Sequence, residues 1–360
     1  MKVLIAAGGT GGHIYPGVAV AKELMRRDAE SKVLFAGTQR GLETKIVPDN
    51  GFELALINSA GLKNVGLLGK LKGLVILPKS FLEARRLIKD FQPDTVVGAG
   101  GYVSGPVLLM ASLMRVPTLV MDSNALPGFT NRRLAPFVTK AALTFEEAVK
   151  FFGKKGIVTG NPVRKEFFDI LPKQRENDKF SLLVFGGSQG ARAINSAVVE
   201  SLKHLQPFKS RLQITHQTGE SDFETVEKGY AENDWKTADV RRYISDMISE
   251  FTKTDLIICR AGATTCAEIA AAGKAAIMIP LPTAADDHQR QNAEALVGKG
   301  AVRMILQKNL TGESLAKEIA ELIGKPEKIA EMETSAKKLA RSDAAEVTVD
   351  LIESLAKGKN

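Results

Sequence analysis

Short apolar runs alternate along the chain with longer stretches that carry apolar residues at helical spacing. Residues 18–27, for example, place Val18, Ala21, Leu24 and Met25 on one face of a predicted helix. Apolar runs of this kind are typical of strands buried on both faces of a parallel sheet with crossover helices. The runs predict strands at residues 3–7, 32–36, 95–98, 118–121, 182–185, 213–215, 256–259 and 275–279.

The two halves of the chain repeat one arrangement. In residues 3–12 an apolar strand leads into Gly-Gly-Thr-Gly-Gly, and in residues 182–190 a similar strand leads into Gly-Gly-Ser-Gln-Gly. This repeat predicts two similar doubly wound α/β domains in tandem. We expect an N-terminal domain at residues 1–160 and a second domain at residues 161–341. The final helix, about residues 342–360, is expected to pack back on the first domain.

Composition narrows the class of protein. The 360 residues are 44% hydrophobic and 25% charged, which is typical of globular proteins and excludes extensive disorder. The N-terminal apolar run is too short for a signal peptide, and no run of about 18 apolar residues predicts a membrane span. Two cysteines, Cys259 and Cys266, exclude a disulfide scaffold and favour a reducing compartment. The net charge of +8 fits an anionic partner.

Residues 8–13, Gly-Gly-Thr-Gly-Gly-His, form a glycine-rich segment between the first strand and a helix. Such a turn brings backbone amides close to a ligand, and the helix N-terminus favours phosphate. The segment matches neither the dinucleotide nor the nucleoside-triphosphatase motif, so those two classes are excluded. His13 follows the turn where a strand's carboxyl end opens onto a ligand crevice. It suits a general base near neutral pH, or alternatively a helix cap.

Three segments of the second half predict a nucleotide-sugar site. In residues 186–191, Ser188 and the next helix start suit a phosphate. In residues 259–268, small residues join a strand to a helix, and Glu268 is placed to accept two ribose hydroxyls or is a solvated helix residue. Residues 287–293 put amide side chains at a helix start, where they suit sugar hydroxyls or plain capping.

No metal site is predicted. The four histidines are scattered, the cysteines lack partner ligands, and no Asp-x-Asp motif occurs. A departing phosphate would then depend on helix dipoles and on basic residues such as Arg164. The pattern favours a metal-independent enzyme that uses a nucleotide sugar and no cofactor.

Residues 61–90 carry seven Lys or Arg against two Asp or Glu. Apolar residues rimmed by basic ones are typical of an interfacial membrane patch, although an ordinary amphipathic helix with a solvated face shows the same pattern. The predicted patch consists of Leu74, Ile76, Leu77, Lys79 and Phe81. Aromatic residues are sparse and the basic residues are not arranged in stripes, which disfavours nucleic acid as the anionic partner.

Together these motifs resemble the MurG family of bacterial N-acetylglucosaminyltransferases. Each motif is weak alone, but they follow the family's order over roughly residues 3–300, which makes the set specific. The matching segments are residues 8–13 with Pro16, 100–106, 160–164, 186–191, 243–247, 260–268 and 287–293. The resemblance implies a GT-B fold, in which two Rossmann-like domains face a cleft. It also implies that the second domain binds most of the donor, UDP-N-acetylglucosamine.

Motif by motif, the resemblance assigns the donor contacts. Ile244 would hold uracil through its backbone, and Glu268 would bind the ribose. Gln289 and Asn124 would contact the sugar. The diphosphate would be bound by Ser188, Arg164 and the amides of Ala263, Thr264 and Thr265.

In the first domain the resemblance implies that Thr10, Gly11 and Gly12 close on donor and acceptor, and that His13 is the general base. One departure stands out. The family commonly has His-Glu-Gln-Asn before a Pro-Gly turn, and this chain has Met121-Asp122-Ser123-Asn124. The histidine is therefore absent, and Asp122 is a rival candidate for the base.

The resemblance implies inverting transfer of N-acetylglucosamine to the 4-hydroxyl of undecaprenyl-pyrophosphoryl-N-acetylmuramyl-pentapeptide, a step of peptidoglycan synthesis. The protein would sit peripherally on the anionic, cytoplasmic face of the inner membrane. Three alternatives remain open. They are a transferase for another lipid such as diacylglycerol, a UDP-sugar epimerase, and a nucleotide-sugar sensor without catalysis. The oligomeric state stays open.

Overall fold

The computed structural model describes residues 1–39, 41–59, 67–173, 179–187 and 189–358, with the backbone alone for residues 67–77. The chain divides into two compact units. The first consists of Met1–Val163 and Arg341–Asn360, and the second of Arg164–Ala340.

Each unit is built on a parallel sheet, with strand order β3-β2-β1-β4-β5-β6-β7 in the first and β10-β9-β8-β11-β12-β13 in the second. The strands of the first unit are β1 (Lys2–Ala7), β2 (Lys32–Gly37), β3 (Glu53–Leu56), β4 (Thr95–Gly100), β5 (Thr118–Asp122), β6 (Lys140–Leu143) and β7 (Gly156–Val158). Those of the second are β8 (Phe180–Phe185), β9 (Leu212–Gln217), β10 (Asp239–Arg241), β11 (Leu256–Cys259), β12 (Ala275–Met278) and β13 (Val302–Met304). In such sheets ligands bind at the carboxyl ends of the strands, beside the point where the strand order reverses.

Helices connect the strands. The first unit contains α1 (Gly11–Arg27), α2 (Glu43–Asp49), α3 (Leu67–Phe91), α4 (Ser104–Leu113) and α5 (Phe129–Leu134). The second contains α6 (Arg192–Ser201), α7 (Phe223–Glu232), α8 (Met247–Lys253), α9 (Ala263–Ala272), α10 (His288–Gly298), α11 (Gly312–Gly324) and α12 (Pro326–Lys338), and α13 (Ala344–Lys357) returns to the first unit. Short 3₁₀ helices occupy Glu146–Phe151, Gly153–Lys155, Lys165–Phe167, Gln206–Phe208, Ala285–Asp287 and Gln307–Asn309.

The core of the first unit explains why α1 and α13 lie on the same face of the sheet. In α1, Val18, Ala21 and Leu24 are buried, as the helical spacing predicts. In α13, Val349 and Ile352 are fully buried in the same apolar cluster. Two apolar helix faces thus cover one face of a sheet whose central strand, β4, is buried along its whole length.

The eight predicted strands are all present, and the predicted architecture of two doubly wound α/β domains is confirmed. Five short strands were not predicted: β3, β6, β7, β10 and β13. Four of them are edge strands and β6 lies next to one, and none exceeds four residues, so each offers only a short apolar run in the sequence.

Candidate active site

The second unit contains a cavity of about 480 Å³. The loop after β8 lines one side with Gly186, Gly187 and Gly190, and the loop after β11 lines another with Arg260 and Gly262. The cavity therefore opens at the carboxyl ends of strands, where doubly wound sheets bind ligands. Its volume suits a small organic ligand such as a nucleotide.

Two helix N-termini meet this cavity. Ala191 precedes α6 and Gly262 precedes α9, and neither of these two residues caps its helix through a side-chain hydrogen bond. Within α9 the Cys266 amide donates to Gly262 O at 2.9 Å, so the first three amides, from Ala263 to Thr265, precede the helix ladder. Such amides and the helix dipole together favour an anion, which fits the predicted role of these residues with the diphosphate.

The glycine-rich loop after β8 adopts a backbone that needs glycine. Gly187 and Gly190 have φ values of +94° and +75°. A Cβ on Gly190 would overlap the carbonyl oxygen of Thr218, which follows β9. The loop is therefore pressed against the end of β9. The loop's Ser188, predicted to bind phosphate, lies outside the described residues.

The residues predicted to bind the nucleoside lie on two elements of the same unit. Ile244 is buried, and its backbone N–H donates to Gln217 Oε1 at 2.7 Å. The backbone group that remains for a base is then the Ile244 carbonyl. Glu268 lies in α9, where burial raises its pKa to about 7, while the charge of Arg164 acts in the opposite direction.

Arg164 and Gln289, which are also predicted to bind the donor substrate, each contact a neighbouring residue. The Arg164 guanidinium lies 5.0 Å above the centre of the Phe167 ring, and Arg164 itself is exposed. Gln289 lines the cavity, and its Oε1 accepts the Leu281 N–H at 3.0 Å. The loop after β12 is thereby tied to the start of α10.

In the first unit, the ring of His13 lies directly against Gly100, the last residue of β4. Gly100 has φ +122°, and a Cβ there would overlap the His13 ring. Ser104 fixes this glycine, because its Oγ accepts the Gly100 N–H at 3.0 Å and donates to Ala6 O at 2.8 Å. Thr10 precedes α1 as an exposed residue, and Gly11 and Gly12 begin the helix.

Glu43 is a site residue that the sequence did not indicate. It is fully buried, and its Oε2 accepts the Gly9 N–H at 2.9 Å. Leu42 N in turn donates to Gly9 O at 3.3 Å, so the segment before α2 holds both backbone groups of this glycine. The only sequence signal would have been a carboxylate two residues after a glycine, in Gly41-Leu42-Glu43.

Asp122, the rival base, is engaged in holding a turn. Its Oδ1 accepts the Asn124 N–H at 3.0 Å, and its Oδ2 accepts Gly128 N–H at 3.0 Å and Asn131 Nδ2 at 2.8 Å. Burial raises the pKa of this carboxyl, against these hydrogen bonds. Met121 is buried in the sheet core. This geometry favours a structural role for Asp122 and leaves His13 as the stronger base candidate.

The predicted membrane patch is described in part. Lys79 is exposed and Phe81 is half-buried, both in α3. The side chains of Leu74, Ile76 and Leu77 lie outside the described residues. Among the helices described, none is long and apolar enough to cross a membrane.

Within the described ranges no group of three or more His, Cys, Asp or Glu residues could hold a metal ion.

Two Rossmann-like domains in tandem, one of them with a cavity beside two helix N-termini, have the architecture of the GT-B fold class, and the comparisons agree. Residues 3–143 match the glycosyltransferase family 28 N-terminal domain, and residues 181–348 match the family's C-terminal domain. The chain belongs to glycosyltransferase family 28.

Relatives that match nearly the whole chain make the family assignment more specific. A Geotalea uraniireducens protein is 48% identical over 97% of both chains, and one from Myxococcus xanthus is 47% identical over 98% of this chain and 92% of its own. Both are named UDP-N-acetylglucosamine--N-acetylmuramyl-(pentapeptide) pyrophosphoryl-undecaprenol N-acetylglucosamine transferase. The crystal structure of Acinetobacter baumannii MurG has a TM-score of 0.83 at 33% identity, covering 98% of this chain and 99% of that one. The resemblance to the MurG family is confirmed.

A more distant structure shares the fold alone. The UDP-GlcNAc 2-epimerase of Neisseria meningitidis has a TM-score of 0.66 at 16% identity, over 98% of this chain and all of that one.

Proposed function

We propose that this protein transfers N-acetylglucosamine from UDP-N-acetylglucosamine to undecaprenyl-pyrophosphoryl-N-acetylmuramyl-pentapeptide. The proposal is carried by the cavity beside the N-termini of α6 and α9, in a chain that resembles transferases named for this reaction over 97% of its length. The product is the disaccharide-pentapeptide lipid from which peptidoglycan is built.

The second unit would hold the donor. The amides at the start of α9 and the loop after β8 bind the diphosphate, and Glu268 accepts the ribose hydroxyls. The Ile244 carbonyl accepts the N3–H of uracil, since the N–H of the same residue is already bonded to Gln217. Gln289 contacts the sugar from the start of α10. Cytosine has no N3–H, so this arrangement favours a uridine nucleotide.

The first unit would supply the base. His13 takes the proton from the acceptor's 4-hydroxyl as that oxygen attacks the anomeric carbon, and the bond from this carbon to the UDP oxygen breaks. Attack from the face opposite UDP inverts the configuration. The charge on departing UDP is stabilised by helix N-termini and by Arg164. No metal ion takes part in this scheme.

A lipid-linked acceptor requires the enzyme to work at a membrane surface. The basic and apolar residues of α3 support peripheral binding to an anionic leaflet, because Lys79 is exposed and Leu82 is 68% exposed three residues further on. An undecaprenyl-linked precursor made from UDP-sugars would be met on the cytoplasmic face.

The experiment that tests this function measures UDP release from UDP-N-acetylglucosamine in EDTA, with and without a short-chain analogue of the muramyl acceptor. Acceptor-dependent release with formation of a disaccharide is expected. Diacylglycerol serves as the competing acceptor, and glycosylation of it alone would contradict the proposal. Turnover without acceptor would indicate an epimerase or hydrolase, and donor binding without any turnover would indicate a sensor.

A further inference from the structure

Gln217 connects two parts of the donor site through one side chain. It is the last residue of β9 and is only 2% exposed. Its Nε2 donates to Gly187 O at 2.9 Å, and its Oε1 accepts the Ile244 N–H at 2.7 Å. One end of the amide therefore contacts the loop after β8, residues 186–191, which is called the diphosphate loop below. The other end contacts Ile244, the residue assigned to uracil.

The two hydrogen bonds of Gln217 allow only one orientation of its side-chain amide. A carbonyl oxygen needs a donor and a backbone N–H needs an acceptor, so the two partners fix the orientation of the Gln217 amide. Gly187 O also receives the Gly190 N–H at 3.0 Å. Gly187 lies in the left-handed region, where a glycine backbone has wide freedom, and the bond from Gln217 restricts the direction of its carbonyl from outside the loop. The bond to Ile244 is buried, which strengthens it, and the bond to Gly187 is half-buried.

We propose that Gln217 is a positioning residue that sets the separation between the diphosphate loop and Ile244. A nucleoside diphosphate spans that separation, and its two ends are bound together only when both loops stand at the right distance. The inference rests on the proposed function, because it needs a uridine nucleotide in this cavity. It assigns to Gln217 no contact with the ligand.

A purely structural role makes a different prediction from a positioning role. A general loss of stability would lower the affinity of every ligand of this unit by the same factor. Loss of the spacing weakens a ligand that spans both loops more than a fragment that reaches only one. UDP spans both loops and uridine reaches only the Ile244 side. The ratio of their dissociation constants therefore separates the two roles.

The experiment compares three variants with the parent full-length protein. Gln217→Leu removes both bonds. Gln217→Glu keeps an acceptor for Ile244 but sets an oxygen against Gly187 O. Gln213→Leu is the matched control, because Gln213 is an exposed residue of the same strand. Calorimetry measures UDP directly and uridine by competition, and thermal melting reports folding.

Each lost hydrogen bond is expected to weaken binding by a factor of about two to ten. Gln217→Leu loses both bonds and should lose at least about tenfold in UDP affinity, with the UDP-to-uridine ratio shifted at least about fivefold. Gln217→Glu loses one bond and should lose at least about threefold, with the ratio shifted at least about twofold. Gln213→Leu should match the parent. UDP affinity within twofold of the parent, or equal losses for UDP and uridine, would overturn the inference.

The outcomes remain separable from a failure of the proposed function. If the parent protein binds no UDP, the proposed function is wrong. If the parent binds UDP and only the ratio stays constant, the positioning role is wrong. Should Gln217→Leu fail to fold, Gln217→Glu decides, since it preserves size and the bond to Ile244.

Discussion

The carboxylate of Glu43 holds the backbone amide of Gly9 in the glycine-rich turn before α1. Its Oε2 accepts this N–H at 2.9 Å, and its Oε1 accepts the N–H and hydroxyl of Thr38 at 2.8 and 2.9 Å. Burial raises the pKa of Glu43, but these hydrogen bonds outweigh it and hold the pKa below the usual value. A Cβ on Gly8 would lie 2.8 Å from Oε1. The turn is therefore shaped around an ionised, fully buried carboxylate.

We expect Glu43→Gln to lower kcat about tenfold or more. The new amide must direct an N–H₂ group at Gly9 or at Thr38, and a buried donor left without an acceptor costs about 1–3 kcal/mol. The turn before His13 then moves. UDP affinity should stay unchanged, because the donor cavity lies in the second unit.

Steady-state kinetics and UDP calorimetry on the same preparation check this expectation. Glu53→Gln is the control, since Glu53 is exposed on β3 of the same unit. Parental kcat in Glu43→Gln would show that the carboxylate serves stability alone.

The second prediction concerns the base. His13→Ala should lower kcat by about a hundredfold or more, as loss of a general base does, while UDP affinity is retained. His204→Ala, in an exposed position of the second unit, should leave kcat unchanged.

Asp122→Asn should lower the melting temperature, because the new amide cannot accept from all three donors of the turn. A folded Asp122→Asn protein with a larger loss of kcat than His13→Ala would reverse the assignment of the base.

The fold was predictable because its signal is local. The central strands are mostly apolar, and their burial on both faces follows from that composition. The site loops were also predictable where they carry glycines between a strand and a helix, as at residues 186–191. Short strands such as β10, Asp239–Arg241, gave no comparable signal, because polar residues flank a single valine.

The polar residues that hold the site in place were not predictable. Glu43 bonds a residue 34 positions away, and Gln217 bonds residues 30 and 27 positions away. Neither stands in a recognisable motif, and each is buried only because the tertiary fold supplies its partners. Asp122 shows the converse case, because a carboxylate in a motif suggests chemistry and its oxygens are bonded to its own turn.

The third prediction tests the loop after β8. Gly190→Ala should weaken UDP binding about tenfold or more, because φ is +75° and the added Cβ would overlap Thr218 O. The loop must then move away from the end of β9. Gly298→Ala is the matched control, since a Cβ there meets nothing within 4 Å. Calorimetry with UDP measures both, and equal affinities would show that the loop does not bind the nucleotide.

The fourth prediction concerns the membrane. Joint replacement of Lys79 and Leu82 by Glu should lower binding to phosphatidylglycerol-containing vesicles at least about tenfold. A basic residue near an anionic leaflet contributes about 1 kcal/mol, and burying an exposed leucine adds about 1.5–3 kcal/mol. Transfer to a soluble acceptor analogue should be unchanged.

The control for this experiment makes the same changes at Leu171 and Lys236, which are exposed in the second unit. Sedimentation with vesicles measures all three proteins. If the two double variants bind alike, α3 is not the membrane-binding surface.

The fifth prediction follows from the pKa of about 7 at Glu268. If the ionised carboxylate accepts the ribose hydroxyls, donor affinity rises as pH rises from about 6 to 8, since protonation competes with binding below the pKa. UDP-N-acetylglucosamine is the ligand of choice, because its diphosphate stays fully ionised over this range. Glu268→Gln should remove the pH dependence, and Glu227→Gln, exposed on α7, should retain it.

Stability should change with pH in the opposite direction. The pKa of Glu268 is raised from 4.5, so the folded free protein binds this proton more tightly than the unfolded chain does. Its contribution to stability is therefore lost as pH rises from about 4.5 to about 7. Urea denaturation of the parent and of Glu268→Gln across this range isolates the contribution. Opposite slopes for stability and donor affinity, both abolished in Glu268→Gln, would trace the two effects to one half-buried carboxylate. The fold raises its pKa, and the ribose favours its charged form.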